Sequence, residues 1–157
     1  MGCYACAMPA EGTVVLRILI GTVLGYGLGF ERELRGSPAG DRTFSLVGAA
    51  ATAITAVAFK QSPQTVAGVV TGIGFIGGGV VFQGQGALVR GITTAATVFV
   101  TAAVGILVGA GQLLAGVVLA LLVLVVLEVR HLPALRYLDA HRYQSRFKKD
   151  VEEPDER

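Results

Sequence analysis

Charge is scarce in this sequence of 157 residues. Only 15% of the residues are charged, while 53% are hydrophobic. Between Thr43 and Glu128, the only charged residues are Lys60 and Arg90. A soluble domain of this length needs more charge than that to solvate its surface. Because the bilayer is the better solvent for so long an uncharged stretch, the sequence predicts an integral membrane protein.

Cysteine and histidine are also rare, which limits the chemistry that the chain can perform. Cys3 and Cys6 have C-x-x-C spacing but lack the second pair or nearby histidine of a zinc site, so we interpret them as unstructured terminal thiols. Both histidines, His131 and His141, lie in the tail. No Ser/His or Asp/Asp pair has helical spacing in the apolar segments, so no enzyme, metal or cofactor site is predicted. The basic residues are not interleaved with aromatics, which argues against nucleic acid as a partner.

Five apolar segments predict an all-α membrane protein. Each has about 16–18 residues, which at ~1.5 Å per residue gives roughly 24–27 Å, near the lower limit for spanning a bilayer. The segments are 13–30, 44–59, 66–82, 94–109 and 113–129. No Lys or Arg occurs in the first twelve residues, so we expect the first segment to remain as an anchor rather than a cleaved signal peptide. Two alternatives stay open: the third segment could be re-entrant, or the last two could form a hairpin with a tight turn at 109–112.

The distribution of basic residues predicts the orientation in the membrane. With five crossings, the first and third linkers share a side with the tail, and that side holds eleven of the thirteen Lys and Arg residues. The positive-inside rule places this side in the cytoplasm and the N-terminus outside. We therefore predict an extracytoplasmic segment at 1–12, a five-helix transmembrane domain at 13–130 and a short cytoplasmic tail at 131–157. Arg17, inside the first helix, is expected to snorkel outward.

Glycines recur every fourth residue in several predicted helices and therefore share a helix face. Small residues let helix backbones approach closely in lipid, so bundle packing is the simpler interpretation, with a narrow path or a dimer face as the alternative. Five glycines fall between Gly72 and Gly79. Each weakens a helix by ~1 kcal/mol relative to Ala, which indicates very tight packing or non-helical backbone that lines a cavity. The predicted packing residues are Gly21, Gly25, Gly29, Gly72, Gly74, Gly77, Gly78 and Gly91.

The first linker carries the densest set of charged residues. If the first helix continues past Phe30, Glu31 and Arg35 stand one turn apart and can pair, and Asp41 could cap the second helix. Two interpretations remain open for Glu31: surface ion pairs of little energetic weight, or contact with a cation or a partner. The hydroxyls at the head of the fourth helix are interpreted first as caps and second as ligand contacts. The candidate functional residues, all predicted at one cytoplasmic corner, are Glu31, Arg32, Arg35, Arg42, Arg90, Thr93 and Thr94.

Three motifs follow one another along the chain. They are GFERE at 29–33 with its continuation to Arg42 and Thr43, GIGFIGGGVV at 72–81, and VRGITTAAT at 89–97. Together they resemble the MgtC/SapB family of bacterial membrane proteins. The resemblance implies a multi-pass inner-membrane protein of the type linked to growth in low magnesium and to survival inside macrophages. Family members commonly have an apolar residue in place of Asp41, and many carry a soluble C-terminal domain where this chain has a short tail.

For this family, regulatory binding to other membrane proteins is the usual picture. We therefore expect a non-enzymatic regulator that acts by helix-to-helix contact and is linked to low-magnesium adaptation or virulence. The alternative is a subunit of a cation transporter or channel, although no acidic residue is predicted at mid-membrane. The expected partners are the lipid bilayer and other membrane proteins, with a homodimer as a further possibility. A structural test is whether Glu31, Arg32, Arg42 and Arg90 meet at one corner.

Overall fold

Five α-helices make up the part of the chain that the structure describes. A computed structural model describes residues 9–59, 62–82 and 91–128, and no strand occurs in these ranges. The helices are α1 (Glu11–Leu34), α2 (Asp41–Ala58), α3 (Gln64–Phe82), α4 (Ile92–Gly109) and α5 (Leu113–Glu128). The prediction of an all-α fold with five helical segments is confirmed. The predictions for Cys3, Cys6, Arg90 and the tail concern residues outside the described ranges.

By its internal contacts the chain divides into two units, Met1–Val123 and Leu124–Arg157. The first unit contains α1 to α4 and the start of α5. Of the second, the structure describes residues 124–128, which form the last part of α5 and end at Glu128. The candidate functional residues that the structure describes all belong to the first unit.

Three helices are long and apolar enough to cross a membrane: Glu11–Leu34, Gln64–Val81 and Ile92–Gly109. Leu113–Glu128 is apolar but shorter. The remaining helix, α2, begins with two charged residues and carries several hydroxyls. It packs against α1, α4 and, to a smaller extent, α3, so protein rather than lipid surrounds much of it. A helix in that position needs less apolar surface than one that faces lipid on most sides.

Glycines bring the backbones of α1 and α2 into direct contact. A Cβ built on Gly25 would lie 2.5 Å from the carbonyl oxygen of Phe44, and one on Gly29 would lie 2.6 Å from the Cα of Asp41. Gly21 faces a side chain of α2 in the same way. These three positions leave no room for a side chain, and such close approach is how small residues hold helices together in lipid.

α4 also packs against α2 through glycines, and it contacts α1 as well. A Cβ on Gly109 would lie 2.6 Å from the carbonyl oxygen of Thr52, and one on Gly105 would lie 2.8 Å from that of Gly48. Because both contacts are made with backbone carbonyls, α4 approaches α2 as closely as α1 does. The large side chains buried in this core include Phe44, Leu28, Val98, Val104 and Val108.

Threonine hydroxyls are buried between α2 and α4, and most of them bond to their own helix. Thr52, Thr97 and Thr101 each donate through Oγ1 to the carbonyl oxygen four residues earlier, at 2.7, 2.7 and 2.9 Å. Such bonds satisfy a hydroxyl where water does not reach. Thr55 Oγ1 is also buried and has no hydrogen-bond partner in the described part of the chain.

A tight turn joins α4 to α5. The N–H of Gly111 donates to the carbonyl oxygen of Val108 at 3.0 Å, and the N–H of Gln112 donates to that of Leu107 at 2.8 Å. These are the paired hydrogen bonds of a Schellman motif, which ends a helix and reverses the chain. The tight turn predicted at 109–112 is therefore present, and a Cβ added to Gly116 of α5 would lie 2.8 Å from a side-chain carbon of Val108 in α4.

Arg17 binds the C-terminal end of α4, a contact that the sequence does not predict. Its Nη1 donates to the carbonyl oxygen of Gly109 at 2.9 Å. The last carbonyls of a helix lack partners within the helix, and the negative end of the helix dipole attracts a cation. Those carbonyls lie within reach of α1 only because α4 packs against it, a contact that the pattern of apolar residues does not reveal.

α3 is a continuous helix, which contradicts the interpretation of this segment as broken or re-entrant. A Cβ on Gly72, Gly74 or Gly78 would meet no described atom within 4 Å, and one on Gly77 would make only an ordinary contact with α4. The close packing predicted for Gly72, Gly74 and Gly78 is therefore not found within the described part of the chain. The physical reason is that α3 packs mainly on α4, with Ile73 buried, and the rest of its surface is open.

Two glycines of α1 allow a matched test of the close contact between α1 and α2. Gly25→Ala places a methyl group against the carbonyl of Phe44, and we expect overpacking to lower the free energy of unfolding by about 1–3 kcal/mol. Gly27 has nothing within 4 Å of an added Cβ, so Gly27→Ala should raise it by up to about 1 kcal/mol through helix propensity. Unfolding of both variants in detergent, followed by circular dichroism, measures the difference. Equal effects of the two changes would contradict the packing.

Candidate functional site

The C-terminal end of α1 determines the geometry of the charged corner. The N–H of Gly36 donates to the carbonyl oxygen of Glu33 at 2.9 Å, and the N–H of Ser37 donates to that of Arg32 at 3.1 Å. Gly36 has a φ of 65°, the left-handed conformation that a Schellman motif requires and that glycine adopts without steric cost. The turn therefore ends α1 and brings the chain to Ser37, which contacts the start of α4.

Glu31 forms the buried centre of the corner. Its Oε1 accepts a hydrogen bond from Nε of Arg35, one helical turn later, as the spacing predicts. Its Oε2 lies 3.7 Å from Nη1 of Arg32 and makes no hydrogen bond to any described residue. The side chain of Glu31 is only 9% exposed, so its charge is balanced mainly by the two arginines beside it.

Glu33 links the two helices. Its Oε2 accepts a hydrogen bond from the backbone N–H of Asp41 at 3.0 Å. Gly40, which precedes α2, has no room for a side chain because a Cβ there would overlap the carboxylate of Glu33. Asp41 is the first residue of α2, and its Oδ1 accepts from the N–H of Arg42 at 2.6 Å. Gly40 rather than Asp41 therefore occupies the N-cap position, and Glu33 and Asp41 each accept a hydrogen bond from one of the first N–H groups of α2.

Ser37 connects the end of α1 to the start of α4. Its Oγ lies 2.6 Å from Oγ1 of Thr94, a residue that is only 2% exposed. α4 begins after Gly91, whose φ of 85° is left-handed. An added Cβ at Gly91 would lie 2.9 Å from the carbonyl oxygen of Val80, so the start of α4 also contacts the end of α3.

These elements enclose a pocket of about 450 Å³, here called the corner pocket. It lies between the last turn of α1, the α1–α2 connection and the first turn of α4. Arg32 in the last turn of α1 and Arg35 just after it both contribute to its wall. The residues that line it are Arg32, Arg35, Gly36, Ser37, Pro38, Gly91, Ile92, Thr93 and Thr94.

The structure brings together most, but not all, of the residues predicted for the corner. Among the candidates, Arg32, Arg35, Thr93 and Thr94 line the pocket, and Glu31 binds its guanidinium groups. Arg42 lies at the same end of the helices, at the start of α2, but it is exposed and does not line the pocket. The first turn of α2 carries Arg42 away from this wall, because Gly29 and Phe44 are packed against each other on the inner side of the two helices. The prediction for Arg90 concerns a residue outside the described ranges.

Sequence reasoning did not select Glu33 and Ser37 as functional candidates, although both are essential to this geometry. The available signal was the run Arg35-Gly36-Ser37-Pro38, in which a glycine followed by a small polar residue and a proline is typical of a helix end. A hydrogen bond from Ser37 to a helix nearly 60 positions later leaves no local pattern, since it depends on how α4 is packed.

Comparison with known proteins assigns the family. The profile of the MgtC family matches residues 18–133, a range that contains the whole corner pocket. This chain belongs to the MgtC family. Among similar proteins, Protein MgtC of Brucella abortus is 48% identical over 96 residues, which cover 57% of this chain and 39% of that protein.

Two further relatives show the same relationship. Protein MgtC of Salmonella typhimurium is 39% identical over 102 residues, covering 62% of this chain and 44% of that protein. The Escherichia coli K12 protein named "Putative magnesium transporter YhiD" is 33% identical over 145 residues, covering 84% of this chain and 66% of that protein. The match to the Brucella and Salmonella proteins thus spans less than half of their length. No solved protein structure is significantly similar to this chain.

A double-mutant cycle tests the contact between Ser37 and Thr94. Ser37→Ala and Thr94→Val should each lower the free energy of unfolding, because each leaves the other hydroxyl without its partner. The double variant should lose less than the sum of the two, with a coupling of about 1 kcal/mol. Denaturant unfolding of the four proteins in detergent measures this value. Additive single effects would show that the two hydroxyls do not interact.

Proposed function

We propose that this member of the MgtC family is a multi-pass protein of the bacterial inner membrane that regulates another membrane protein through helix-to-helix contact. In this proposal the contact is made by α3, and the regulation belongs to adaptation to low magnesium. The name of YhiD refers to magnesium, and the MgtC family supplies the membrane setting.

The open glycine surface of α3 is the observation that carries the proposal. Glycines of α1 and α4 meet the backbone of α2 at distances that exclude any side chain, whereas Gly68 and Gly72, one turn apart on the same face of α3, meet no described atom within 4 Å. Glycine costs helix stability without compensation when nothing packs against it. Close packing of another helix against such a surface in the bilayer would offset this loss of helix stability.

A groove between α2 and α3 supports the same proposal. It has a volume of about 580 Å³ and is lined mainly by apolar side chains, including Leu46, Ile54 and Ile76. Phe75, beside it on α3, is 86% exposed. Apolar side chains of a membrane-spanning helix from another protein would fill the groove while its backbone lies against the glycines. That occupant is the one we propose, because no charged residue lines the groove among the described residues.

The proposed orientation puts the corner pocket in the cytoplasm. The contact of Ser37 with Thr94 joins the end of α1 to the start of α4, and that of Arg17 with Gly109 joins the opposite ends. The two helices are therefore antiparallel, as expected for the first and fourth of five successive crossings. In this orientation Arg32, Arg35 and Arg42, at the end of α1 and the start of α2, are on the cytoplasmic side that the positive-inside rule favours.

A matched pair of variants tests the role of α3. Gly72→Leu fills the open face of α3, whereas Gly27→Leu adds the same side chain to an equally open position on α1. We expect the tagged full chain, purified from native membranes of cells grown in low magnesium, to retain a membrane protein in a defined ratio. Gly72→Leu should reduce that recovery about tenfold, which corresponds to ~1.4 kcal/mol, and Gly27→Leu should leave it unchanged.

Three outcomes would contradict the proposal. The first is recovery of no membrane partner, and the second is equal loss with both variants. The third is recovery of a differently tagged second copy of this chain in place of another protein, because the open face of α3 would then serve a homodimer.

A second candidate function, a subunit of a Mg²⁺ transporter, is favoured by the name of YhiD. Its route would pass Glu31, but two arginines already flank that carboxylate, and their charge repels a cation. The regulator therefore has more support from the geometry of the corner.

Flux measurements separate the two functions. Vesicles reconstituted with the full chain should show no Mg²⁺ entry above that of empty vesicles if the chain is a regulator. Entry that is lost in Glu31→Gln and kept in Glu11→Gln, an exposed acidic residue at the other end of α1, would favour the transporter and overturn the regulator.

A further inference from the structure

We propose that the corner pocket binds a phosphate group. This inference concerns the end of the helices at which Arg32 and Arg35 lie, and it does not depend on whether α3 contacts a partner. The proposed regulatory contact does not use this pocket.

The charge of the pocket wall favours an anion. Arg32 and Arg35 both line it, and no acidic side chain does so among the described residues. Glu31 lies beneath them and engages both guanidinium groups, which leaves the corner with one net positive charge from these three residues. An arginine presents several donors in a planar fork that suits phosphate oxygens.

Arg32 has donor capacity that no described residue uses. Its contact with Glu31 is long, at 3.7 Å, and its Nε is buried without a hydrogen-bond partner in the described part of the chain. Its side chain is only 13% exposed. A guanidinium group with such weak pairing so far from bulk water is unfavourable by itself, and an anion in the pocket would relieve this cost.

The first turn of α4 adds backbone donors to the same wall. The first hydrogen bond of its ladder is donated by the N–H of Ala95 to the carbonyl oxygen of Gly91, at 2.8 Å. The N–H groups of Ile92, Thr93 and Thr94 precede that ladder, and no described side chain caps this helix start. Such N–H groups and the positive end of the helix dipole suit a phosphate. Here they lie opposite two arginines, and the exposed hydroxyl of Thr93 is available beside them.

The size and position of the pocket indicate what the phosphate is attached to. A volume of about 450 Å³ lies within the range of small-molecule sites, roughly 300–1,000 Å³, so a bare ion would not fill it. Ile92 is 62% exposed at its edge, which provides apolar surface next to the donors. The phosphate can therefore come from an anionic lipid headgroup at the membrane surface or from a free phosphate compound, and the two sources require separate measurements.

Two binding measurements on the full chain test the site. In the first, inorganic phosphate is titrated into the detergent-solubilised protein, and thermal unfolding is followed against a chloride control at equal ionic strength. In the second, phosphatidylglycerol and phosphatidylcholine compete for the protein, and the retained lipid is counted by native mass spectrometry. We expect an Arg32-dependent preference in at least one arm, and the arm that shows it identifies the source.

Arg42 supplies the matched control. Arg32→Gln and Arg42→Gln remove the same charge at the same end of the helices, but only Arg32 lines the pocket. Arg32→Gln should weaken binding about tenfold, the loss expected for one charge-assisted hydrogen bond, while Arg42→Gln should change it less than twofold. Thr93→Val, which keeps all charges, should weaken binding about threefold by removing a neutral donor. It replaces Arg32→Gln as the test of the pocket if Arg32→Gln does not fold.

The proposal would be overturned by three results. One is the absence of binding in both arms, and another is an equal loss with Arg32→Gln and Arg42→Gln, which would indicate unspecific attraction to a basic surface. The third is unchanged binding in Arg32→Gln, provided that its unfolding temperature without ligand shows a folded protein. If only Thr93→Val folds and its binding matches that of the unsubstituted chain, the site is also excluded.

Discussion

The direct backbone contact between α1 and α2 is the constraint on which the rest of the fold depends. Gly25 and Gly29 lie against the backbone of the first turn of α2 and against Phe44. In lipid the hydrophobic effect does not drive helices together, so this close approach and the weak interactions it permits must hold the pair. It also limits the connection between the two helices to residues 35–40, which is short enough to need the left-handed turn at Gly36. The charged corner is a consequence of that turn.

The same closeness explains how polar groups are tolerated inside the helical core. Since α4 also meets α2 at glycines, no space remains for bulky polar side chains, and the hydroxyls of Thr52, Thr97 and Thr101 bond back to their own helices. Cross-helix polar contacts occur instead at the two ends, through Arg17 and through Ser37. Helix ends provide unpaired carbonyl and N–H groups, so polar side chains stabilise the antiparallel arrangement there without placing an unsatisfied group in the centre.

Local patterns in the sequence predicted much of this fold, and contacts between distant segments account for what they missed. Scarce charge and five apolar segments were sufficient for the helices, and the spacing of Glu31 and Arg35 for their pairing. The regular spacing of glycines predicted packing faces on both α1 and α3. It cannot show which glycines contact another helix, because that depends on how many neighbouring helices surround each one. The exposed position of Arg42 and the hydrogen bond of Ser37 to Thr94 depend on the rotation of α2 and the placement of α4. Neither leaves a signal within a few residues.

The first turn of α4 connects the two surfaces to which we assign functions. Gly91 lies against the carbonyl of Val80 in α3, and the next three residues provide part of the wall of the corner pocket. A side chain at Gly91 would be strained by its φ of 85° and would clash with α3, so the contact between these helices is tight. A displacement of the end of α3 must therefore be accommodated at Gly91 or transmitted to the donors of the pocket. By the same reasoning, an anion bound to those donors favours the position of α3 in which the donors can reach it. The size of this effect equals the difference between the anion's binding free energies before and after the displacement of α3.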